Sequence, residues 1–175
     1  IREMQAQCLE MKWKPDIVVC AVGSAGTYSG LFLGNSLFPI TSRILGVLVC
    51  GTVDQFCDKI RKDVSETCGQ RNFDLPDFSA IELIGGYIGE GYAKTNASQL
   101  QLIRKVAEAE GLILDPVYTG KTFAGLCGEC LEGRIPKQSK VLFIHTGGIF
   151  GLSSFAGEMK KVWPSMDYWP NKKKD

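Results

Sequence analysis

The residues between positions 23 and 27 have the types and spacing to bind an anion. They read Gly-Ser-Ala-Gly-Thr and follow six uninterrupted apolar residues at positions 17–22. Such a run, rich in β-branched residues, predicts a strand buried on both faces, as in a parallel sheet. A helix is predicted to start at Thr27. A strand, a glycine loop and a helix N-terminus direct backbone N–H groups and a positive dipole end at one point, which is typical of a phosphate site.

The spacing of the glycines separates this loop from two common nucleotide-binding motifs. Glycines at positions 23, 26 and 30 match neither GxGxxG nor GxxxxGK[ST]. No lysine follows the loop, and no acidic residue is placed to bind a ribose. The loop alone leaves a second interpretation open, in which its glycines serve only the packing of a tight strand-to-helix turn.

Three further segments carry polar side chains beside predicted strand or helix ends. Tyr92 follows a glycine-punctuated stretch, Tyr118 precedes a predicted helix, and Thr146 follows a predicted strand. Ligands of parallel α/β sheets bind beyond the carboxyl ends of the strands, where these segments would meet the glycine loop. Taken alone, the two tyrosines also fit amphipathic residues at a sheet edge. Asp115 is predicted to shape the turn before Pro116 and to help cap the following helix.

The sequence gives little support for a metal or redox site. His145 is the only histidine, and we expect it to be a hydrogen-bonded core residue rather than a general acid or a metal ligand. Cys127 and Cys130 form a CxxC pair inside a predicted helix, without a second pair to complete a zinc site. The odd count of seven cysteines fits reduced thiols and a cytoplasmic protein.

Composition limits the class of protein. A chain of 175 residues predicts one domain with room for a three-layer core. Twenty Lys and Arg residues against nineteen Asp and Glu leave a net charge of +1, which does not favour nucleic acid or a membrane surface as partner. No apolar run approaches the roughly 20 residues that span a bilayer.

The predicted elements alternate between helix and strand. Helices are expected at 2–12, 27–37, 52–68, 95–110 and 119–131, strands at 17–22, 43–50, 80–84 and 141–145, and a surface tail at 163–175. This alternation predicts a single α/β domain over residues 1–175, with a mainly parallel sheet between two helix layers and right-handed crossovers.

Four motifs in this order resemble one known family. They are GSAGTYSGL at 23–31, EGYA at 90–93, LDPVYTGKTFAGL at 114–126 and FIHTGG at 143–148. Together they resemble the D-cysteine desulfhydrases and 1-aminocyclopropane-1-carboxylate (ACC) deaminases, which are pyridoxal-phosphate (PLP) enzymes of the tryptophan-synthase-β fold type. The resemblance extends from about Pro15 to Leu152. It implies the large PLP-binding domain of such an enzyme.

The resemblance also implies roles for individual residues. Cofactor binding falls to Gly23, Ser24, Ala25, Gly26 and Thr27 at the phosphate, to Thr146 beside the pyridine nitrogen, and to Thr119. Tyr92 and Tyr118 match active-site tyrosines that face the substrate and the ring, and no metal is implied. ACC deaminases resemble this sequence except for Glu at position 119 and Leu at position 146, so threonine at both favours the desulfhydrase branch.

One departure from the family pattern concerns the catalytic lysine. The family's Schiff-base lysine lies near the N-terminus in an Asn-Lys motif, followed by a Ser-Asn pair, and neither motif occurs in this sequence. Lys94 and Lys121 are near the site in sequence, but the family does not use those positions. We therefore expect the C-terminal part of a longer enzyme, inactive without its N-terminal part; a degenerate relative is the other interpretation.

The resemblance implies a lyase that converts D-cysteine to pyruvate, hydrogen sulfide and ammonia. Its substrate would be a small amino acid, and the enzyme would be a cytoplasmic homodimer without nucleic-acid or membrane partners. Two alternatives remain: an ACC deaminase, and a non-catalytic α/β module that binds PLP or another phosphorylated ligand.

Overall fold

A computed structural model describes residues 1–40 and 43–163 of the chain. The helices of this part are α1 (Arg2–Glu10), α2 (Gly26–Leu37), α3 (Val53–Arg71), α4 (Ala97–Glu110), α5 (Thr119–Leu131) and α6 (Ala156–Val162). The strands are β1 (Ile17–Val22), β2 (Arg43–Leu48), β3 (Glu82–Ile84) and β4 (Val141–Phe143), and two 3-10 segments cover Phe78–Ala80 and Ile149–Phe155.

The four strands form one parallel sheet in the order β3-β2-β1-β4. Ile17 at the start of β1 pairs with Arg43 of β2 on one side and with Val141 of β4 on the other. Every residue of β1 is buried, because the strand lies inside the sheet and helices cover both of its faces. The predicted central strand is therefore confirmed.

Alternate residues of β1 contact different helix layers. Val18, Cys20 and Val22 belong to a core cluster with residues of α2 and α3. Ile17 and Val19 face the opposite side, where the cluster includes Leu126 of α5. The predicted three-layer α/β/α arrangement is confirmed. Burial in this core raises the pKa of the Cys20 thiol to about 12.

Local signals set several helix ends. Thr52 and Gln55 form a reciprocal capping box at the start of α3. The side chain of Asn96 accepts a hydrogen bond from the backbone N–H of Gln99 at the start of α4. Gly111 closes the same helix in the left-handed conformation.

The structure corrects the predicted strand at residues 141–145. β4 ends at Phe143 and is half-buried rather than buried, because in the described part of the chain it pairs with β1 alone. β2 and β3 are also shorter than predicted, and a 3-10 turn at Phe78–Ala80 occupies the expected start of β3.

The helices differ from prediction mainly at their ends. α1 is shorter than expected, and α3 continues to Arg71. The structure adds α6, which was not predicted. No helix in the described part of the chain combines the length and the apolar character needed to span a bilayer. The predicted surface tail lies outside the described residues from position 164 onward.

Candidate functional site

A pocket of about 280 Å³ opens at the carboxyl end of β1, and we call it the glycine-loop pocket. Its lining residues are Ala21, Gly23, Ser24, Ala25, Thr27, Tyr118, Thr146, Gly147 and Gly148. The fold therefore brings four residues of the glycine loop together with Tyr118 and Thr146, which are far from the loop in sequence. Gly26, Tyr92 and Thr119, which the sequence also nominated, are not among the lining residues.

The glycine loop leaves the start of α2 without a side-chain cap. Ala25 is the N-cap residue, and its φ of 67° places it in the left-handed region although it is not glycine. The first N–H groups of α2 donate no hydrogen bond to a capping side chain. Uncapped N–H groups at a helix start that borders a pocket suit an anion such as a phosphate.

Gly23 is the glycine whose missing side chain the site requires. A Cβ there would lie 2.9 Å from Cε1 of Tyr118 and 3.2 Å from Cγ2 of Val49. At Gly26 a Cβ would meet only Oγ of Ser24, at 3.8 Å. The absence of a Cβ at Gly23 therefore lets the Tyr118 ring pack on the loop, whereas the space around Gly26 is open.

Asp115 organises the turn that carries Tyr118. Its Oδ2 accepts hydrogen bonds from the backbone N–H groups of Val117, at 2.7 Å, and Tyr118, at 2.8 Å. Its Oδ1 accepts from both the N–H and the hydroxyl of Thr119, each at 2.7 Å. The side chain is almost completely buried. The predicted turn-shaping and capping role of Asp115 is confirmed.

Thr119 is fully buried behind the pocket wall. Its hydroxyl donates to Oδ1 of Asp115 and accepts from the backbone N–H of Asp115 at 2.8 Å. In this arrangement Thr119 supports the turn before α5. Its suggested contact with the cofactor stays a prediction.

Gly148, in the FIHTGG motif, lines the pocket, although the sequence analysis assigned it no role of its own. A Cβ at this position would lie 2.6 Å from Cγ of Asp115, and its φ is 94°. The loop after β4 therefore packs directly on the carboxylate that orders the Tyr118 turn. The Gly-Gly pair at 147–148 was the available sequence signal, since paired glycines mark tight turns.

Tyr92 and Tyr118 form a hydrogen-bonded pair through their hydroxyl groups. Their rings meet edge to face, with centroids 6.0 Å apart. Tyr92 is about half exposed, at 52%. The hydrogen bond to Tyr92, followed by burial, raises the pKa of Tyr118 to about 12. Tyr118 is therefore a protonated phenol at neutral pH.

His145 is exposed, so its predicted place in the core is wrong, and the cause is the position of β4 at the edge of the described sheet. The predicted hydrogen bonding is confirmed. Nδ1 accepts from the N–H of Gly147 at 3.2 Å, so Nε2 carries the proton and donates to the carbonyl of Ile113 at 2.9 Å. His145 thus supports the loop that contains Thr146.

The CxxC pair lies away from the glycine-loop pocket, on α5. Burial raises the pKa of the Cys127 thiol, and the neighbouring Cys130 raises it further. A raised pKa leaves little reactive thiolate at neutral pH. Within residues 1–40 and 43–163, no group of three or more His, Cys, Asp or Glu side chains is placed to hold a metal ion.

A sequence model of the family described as "Pyridoxal-phosphate dependent enzyme" matches residues 2–147. The chain belongs to this family. Pyridoxal phosphate is accordingly the cofactor of its family, and the resemblance inferred from the motifs is confirmed at that level. The parallel sheet with helices on both faces agrees with it.

Individual relatives of this PLP enzyme family point to one subgroup. A Thermotoga maritima protein, provisionally named as an ACC deaminase, is 40% identical over 139 residues, which are 78% of this chain and 42% of the relative. The Arabidopsis thaliana protein named bifunctional D-cysteine desulfhydrase/ACC deaminase, mitochondrial, is 35% identical over 164 residues, 88% of this chain and 38% of the relative.

A solved structure gives the same assignment for the fold. The crystal structure of an ACC deaminase homologue superposes with a TM-score of 0.80 at 33% identity and covers 91% of this chain. The chain covers 48% of that structure. It thus spans less than half the length of these relatives.

The residues of the glycine-loop pocket fit the family cofactor. The uncapped start of α2 suits the phosphate of the cofactor. Because Gly23 has no Cβ, the Tyr118 ring can approach the loop. Tyr118 and Thr146 supply neutral hydroxyl groups to the same lining. Backbone N–H groups for a phosphate and neutral hydroxyl groups in one pocket match the polar groups of pyridoxal phosphate.

Proposed function

We propose that this chain forms the cofactor-binding part of a PLP-dependent lyase that converts D-cysteine to pyruvate, hydrogen sulfide and ammonia. The main supporting observation is that four residues of the glycine loop line a single pocket with two residues from distant segments: Gly23, Ser24, Ala25, Thr27, Tyr118 and Thr146. Supporting it, one relative is named a D-cysteine desulfhydrase as well as an ACC deaminase. Threonine at both positions 119 and 146 favours the D-cysteine desulfhydrase activity.

Bound pyridoxal phosphate supplies an electron sink for the bonds to the substrate α-carbon. The chain's own contribution would begin at the loop, where the backbone N–H groups from Gly23 to Thr27 would hold the phosphate. Thr146 would bind the ring nitrogen, because its neutral hydroxyl can donate to an unprotonated nitrogen. A neutral partner suffices for β-elimination, because the thiolate departs as the α-proton is removed.

The tyrosine pair would act on the substrate side of the ring. With its pKa raised to about 12, Tyr118 keeps its proton at neutral pH and can donate a hydrogen bond to the substrate. Tyr92 holds the Tyr118 hydroxyl through the hydrogen bond between them. The pair can therefore orient a small amino acid and return a proton through the shared hydrogen bond.

We further propose that the lysine that links to the cofactor lies outside these 175 residues. In the described part of the chain no lysine lines the glycine-loop pocket. The 175-residue chain alone should then give no lysine-linked cofactor after borohydride reduction and no turnover. A linked cofactor mapped to Lys94 or Lys121 would contradict this proposal. The homodimer and the cytoplasmic location remain predictions.

ACC deaminase is the second candidate, because the Thermotoga relative and the solved structure bear that name. The deciding measurement is turnover of D-cysteine and of ACC by the full-length protein that contains this chain. Higher turnover of D-cysteine supports the proposal, and equal or higher turnover of ACC refutes it. Thr146→Leu should then shift the ratio toward ACC, and it leaves the buried Thr119–Asp115 contacts in place.

Gly23→Val tests the glycine-loop pocket directly. The added side chain would overlap the Tyr118 ring and Val49, so we expect affinity for PLP to fall by about tenfold or more. Gly26→Val is the matched control, because the space around Gly26 is open. Titration calorimetry with PLP and with inorganic phosphate measures both. An unchanged affinity in Gly23→Val would place the phosphate elsewhere.

A further inference from the structure

Lys121 is a buried charge that the proposed chemistry does not use. The residue is 1% exposed, in the first turn of α5. Its Nζ donates hydrogen bonds to the carbonyl of Ile88 at 2.7 Å and to the carbonyl of Gly91 at 2.6 Å. Lys121 belongs to none of the ion pairs between described residues. The two neutral carbonyls are therefore its close partners in this part of the chain.

Burial of an ammonium group lowers the stability of the fold. A buried lysine is therefore expected where its hydrogen bonds serve a purpose other than stability. Burial lowers the pKa of Lys121, while the Asp115 carboxylate opposes that shift. An apolar side chain of similar length would fill the same space without the cost of removing a charge from water. Stability alone therefore does not account for a lysine here, which directs attention to the carbonyls that it holds.

The two carbonyls belong to an irregular segment at residues 85–94. Gly86, Gly89, Gly91 and Ala93 all have positive φ, and the segment contains neither helix nor strand beyond the end of β3. The backbone N–H of Lys94 also bonds to the carbonyl of Gly91, at 3.2 Å. Tyr87 and Ile88 pack on the core clusters, and the rest of the segment depends on hydrogen bonds to other elements for its position.

Tyr92 is the next residue after Gly91, and its partner Tyr118 lies three residues before Lys121. One helix start therefore carries both Tyr118 and the ammonium group that holds the backbone beside Tyr92. This arrangement fixes the two phenols relative to each other, although they come from separate segments.

We propose that Lys121 is a positioning residue that holds segment 85–94 against α5 and thereby places the Tyr92 hydroxyl on that of Tyr118. The significance of that placement for catalysis rests on the proposed function, but the placement itself does not. Its test can therefore be made without cofactor or substrate.

The experiment is amide hydrogen exchange of the 175-residue chain, followed by mass spectrometry. In Lys121→Met, peptides from segment 85–94 should exchange about tenfold faster, while peptides from β1 and α5 keep the wild-type rate. Lys94→Met is the matched control, because Lys94 is an exposed lysine of the same segment. Unchanged exchange of segment 85–94 in Lys121→Met, or equal acceleration in both variants, overturns the proposal.

Chemical rescue separates hydrogen bonding from packing. Lys121→Ala should recover slow exchange in segment 85–94 with n-butylammonium, which replaces the stem and the N–H donors. Tetramethylammonium lacks N–H donors and should not restore it. Equal rescue by both ions, or rescue by neither, overturns the proposed role of the ammonium group.

Wild-type protein provides a measurement that does not depend on how the variants fold. The Nζ of Lys121 should give an NMR ammonium signal protected from solvent exchange, unlike that of exposed Lys94. Absence of a protected signal overturns the proposal.

In the full-length protein, Lys121→Met should lower kcat about tenfold and leave PLP affinity unchanged, because the phosphate loop lies between β1 and α2. If the wild-type protein does not bind PLP, the proposed function is refuted, whereas the positioning role of Lys121 is not.

Discussion

Asp115 and Lys121 show two ways in which a buried charge can serve a site without entering it. The carboxylate of Asp115 accepts hydrogen bonds from Val117, Tyr118 and Thr119, so its charge stabilises one tight turn. The ammonium of Lys121 is bound to carbonyls of a different segment. One residue shapes the turn that carries Tyr118, and the other tethers the backbone beside Tyr92.

Tyr92→Phe removes the main cause of the raised pKa of Tyr118. We expect that pKa to fall from about 12 toward the ordinary value of 10.0, remaining above it because burial is the second cause. Ultraviolet absorbance of tyrosinate during a pH titration measures the change. Tyr87→Phe is the control, since Tyr87 bonds to Glu129 rather than to the pair.

The same shift has a consequence for stability. The folded-state pKa of Tyr118 is raised, so its contribution to stability is complete below pH 10 and is lost as the pH rises through about 12. The wild-type chain should therefore lose stability above pH 10 more steeply than Tyr92→Phe in denaturant unfolding. Equal steepness in the two proteins would show that the phenols are not hydrogen-bonded in solution.

At the scale of elements, the start of α2 departs from the usual rule for helix N-caps. Ser, Thr, Asp and Asn are favoured there because their side chains bond to the first N–H groups, yet Ala25 occupies the position with φ of 67°. A left-handed alanine is strained, and strain of this kind concentrates at ligand sites. The strain at Ala25 therefore lowers the local stability of the loop, while its N–H groups remain open to an anion.

Ala25→Gly tests this interpretation of the loop. Relief of the left-handed strain gains about 1–2 kcal/mol, while lost methyl burial and added chain entropy each cost about 0.5–1 kcal/mol. The free energy of unfolding should thus change by less than about 1 kcal/mol in either direction. Ala107→Gly, in the last turn of α4 where the backbone is helical, should cost up to about 1 kcal/mol. Denaturant unfolding compares them, and a larger loss at Ala25 would contradict the strain.

At the scale of the whole molecule, Tyr28 connects the helix after the glycine loop to two strands. Its hydroxyl donates to the carbonyl of Ile44 in β2 at 3.1 Å and accepts from the N–H of Glu82 in β3 at 2.8 Å. The residue is fully buried, and burial raises the pKa of its phenol. A single side chain of α2 thus fixes this helix against β2 and β3.

Tyr28→Phe should lower the free energy of unfolding by about 2 kcal/mol, because two backbone groups lose their partner in a buried region. Amide exchange should also accelerate at β3, the short edge strand that Tyr28 holds. Tyr87→Phe is a matched control, since the hydroxyl of Tyr87 makes a 3.4 Å contact with Glu129 and should matter less. Equal losses in denaturant unfolding would contradict the role of Tyr28 in joining the elements.

The sequence by itself determined the local features of this protein. The apolar run at 17–22, the glycine loop and the cap at Thr52 each depend on neighbouring residues, and the structure confirms the buried strand and the capping box. The order of the elements also predicted the parallel sheet, because the alternation of strand and helix requires crossovers. Strand ends were predicted less well, since β4 has one neighbour in the described sheet and its burial depends on that neighbour.

Only the tertiary structure decided how the candidate site is arranged. It placed Thr119 behind the wall rather than on the glycine-loop pocket, and it showed that the close approach of Tyr118 requires glycine at position 23. It also showed Lys121 bound to carbonyls some thirty positions earlier in the chain. These facts depend on contacts between segments that are distant in sequence. A local pattern of residue types does not determine which side chains of distant segments come into contact.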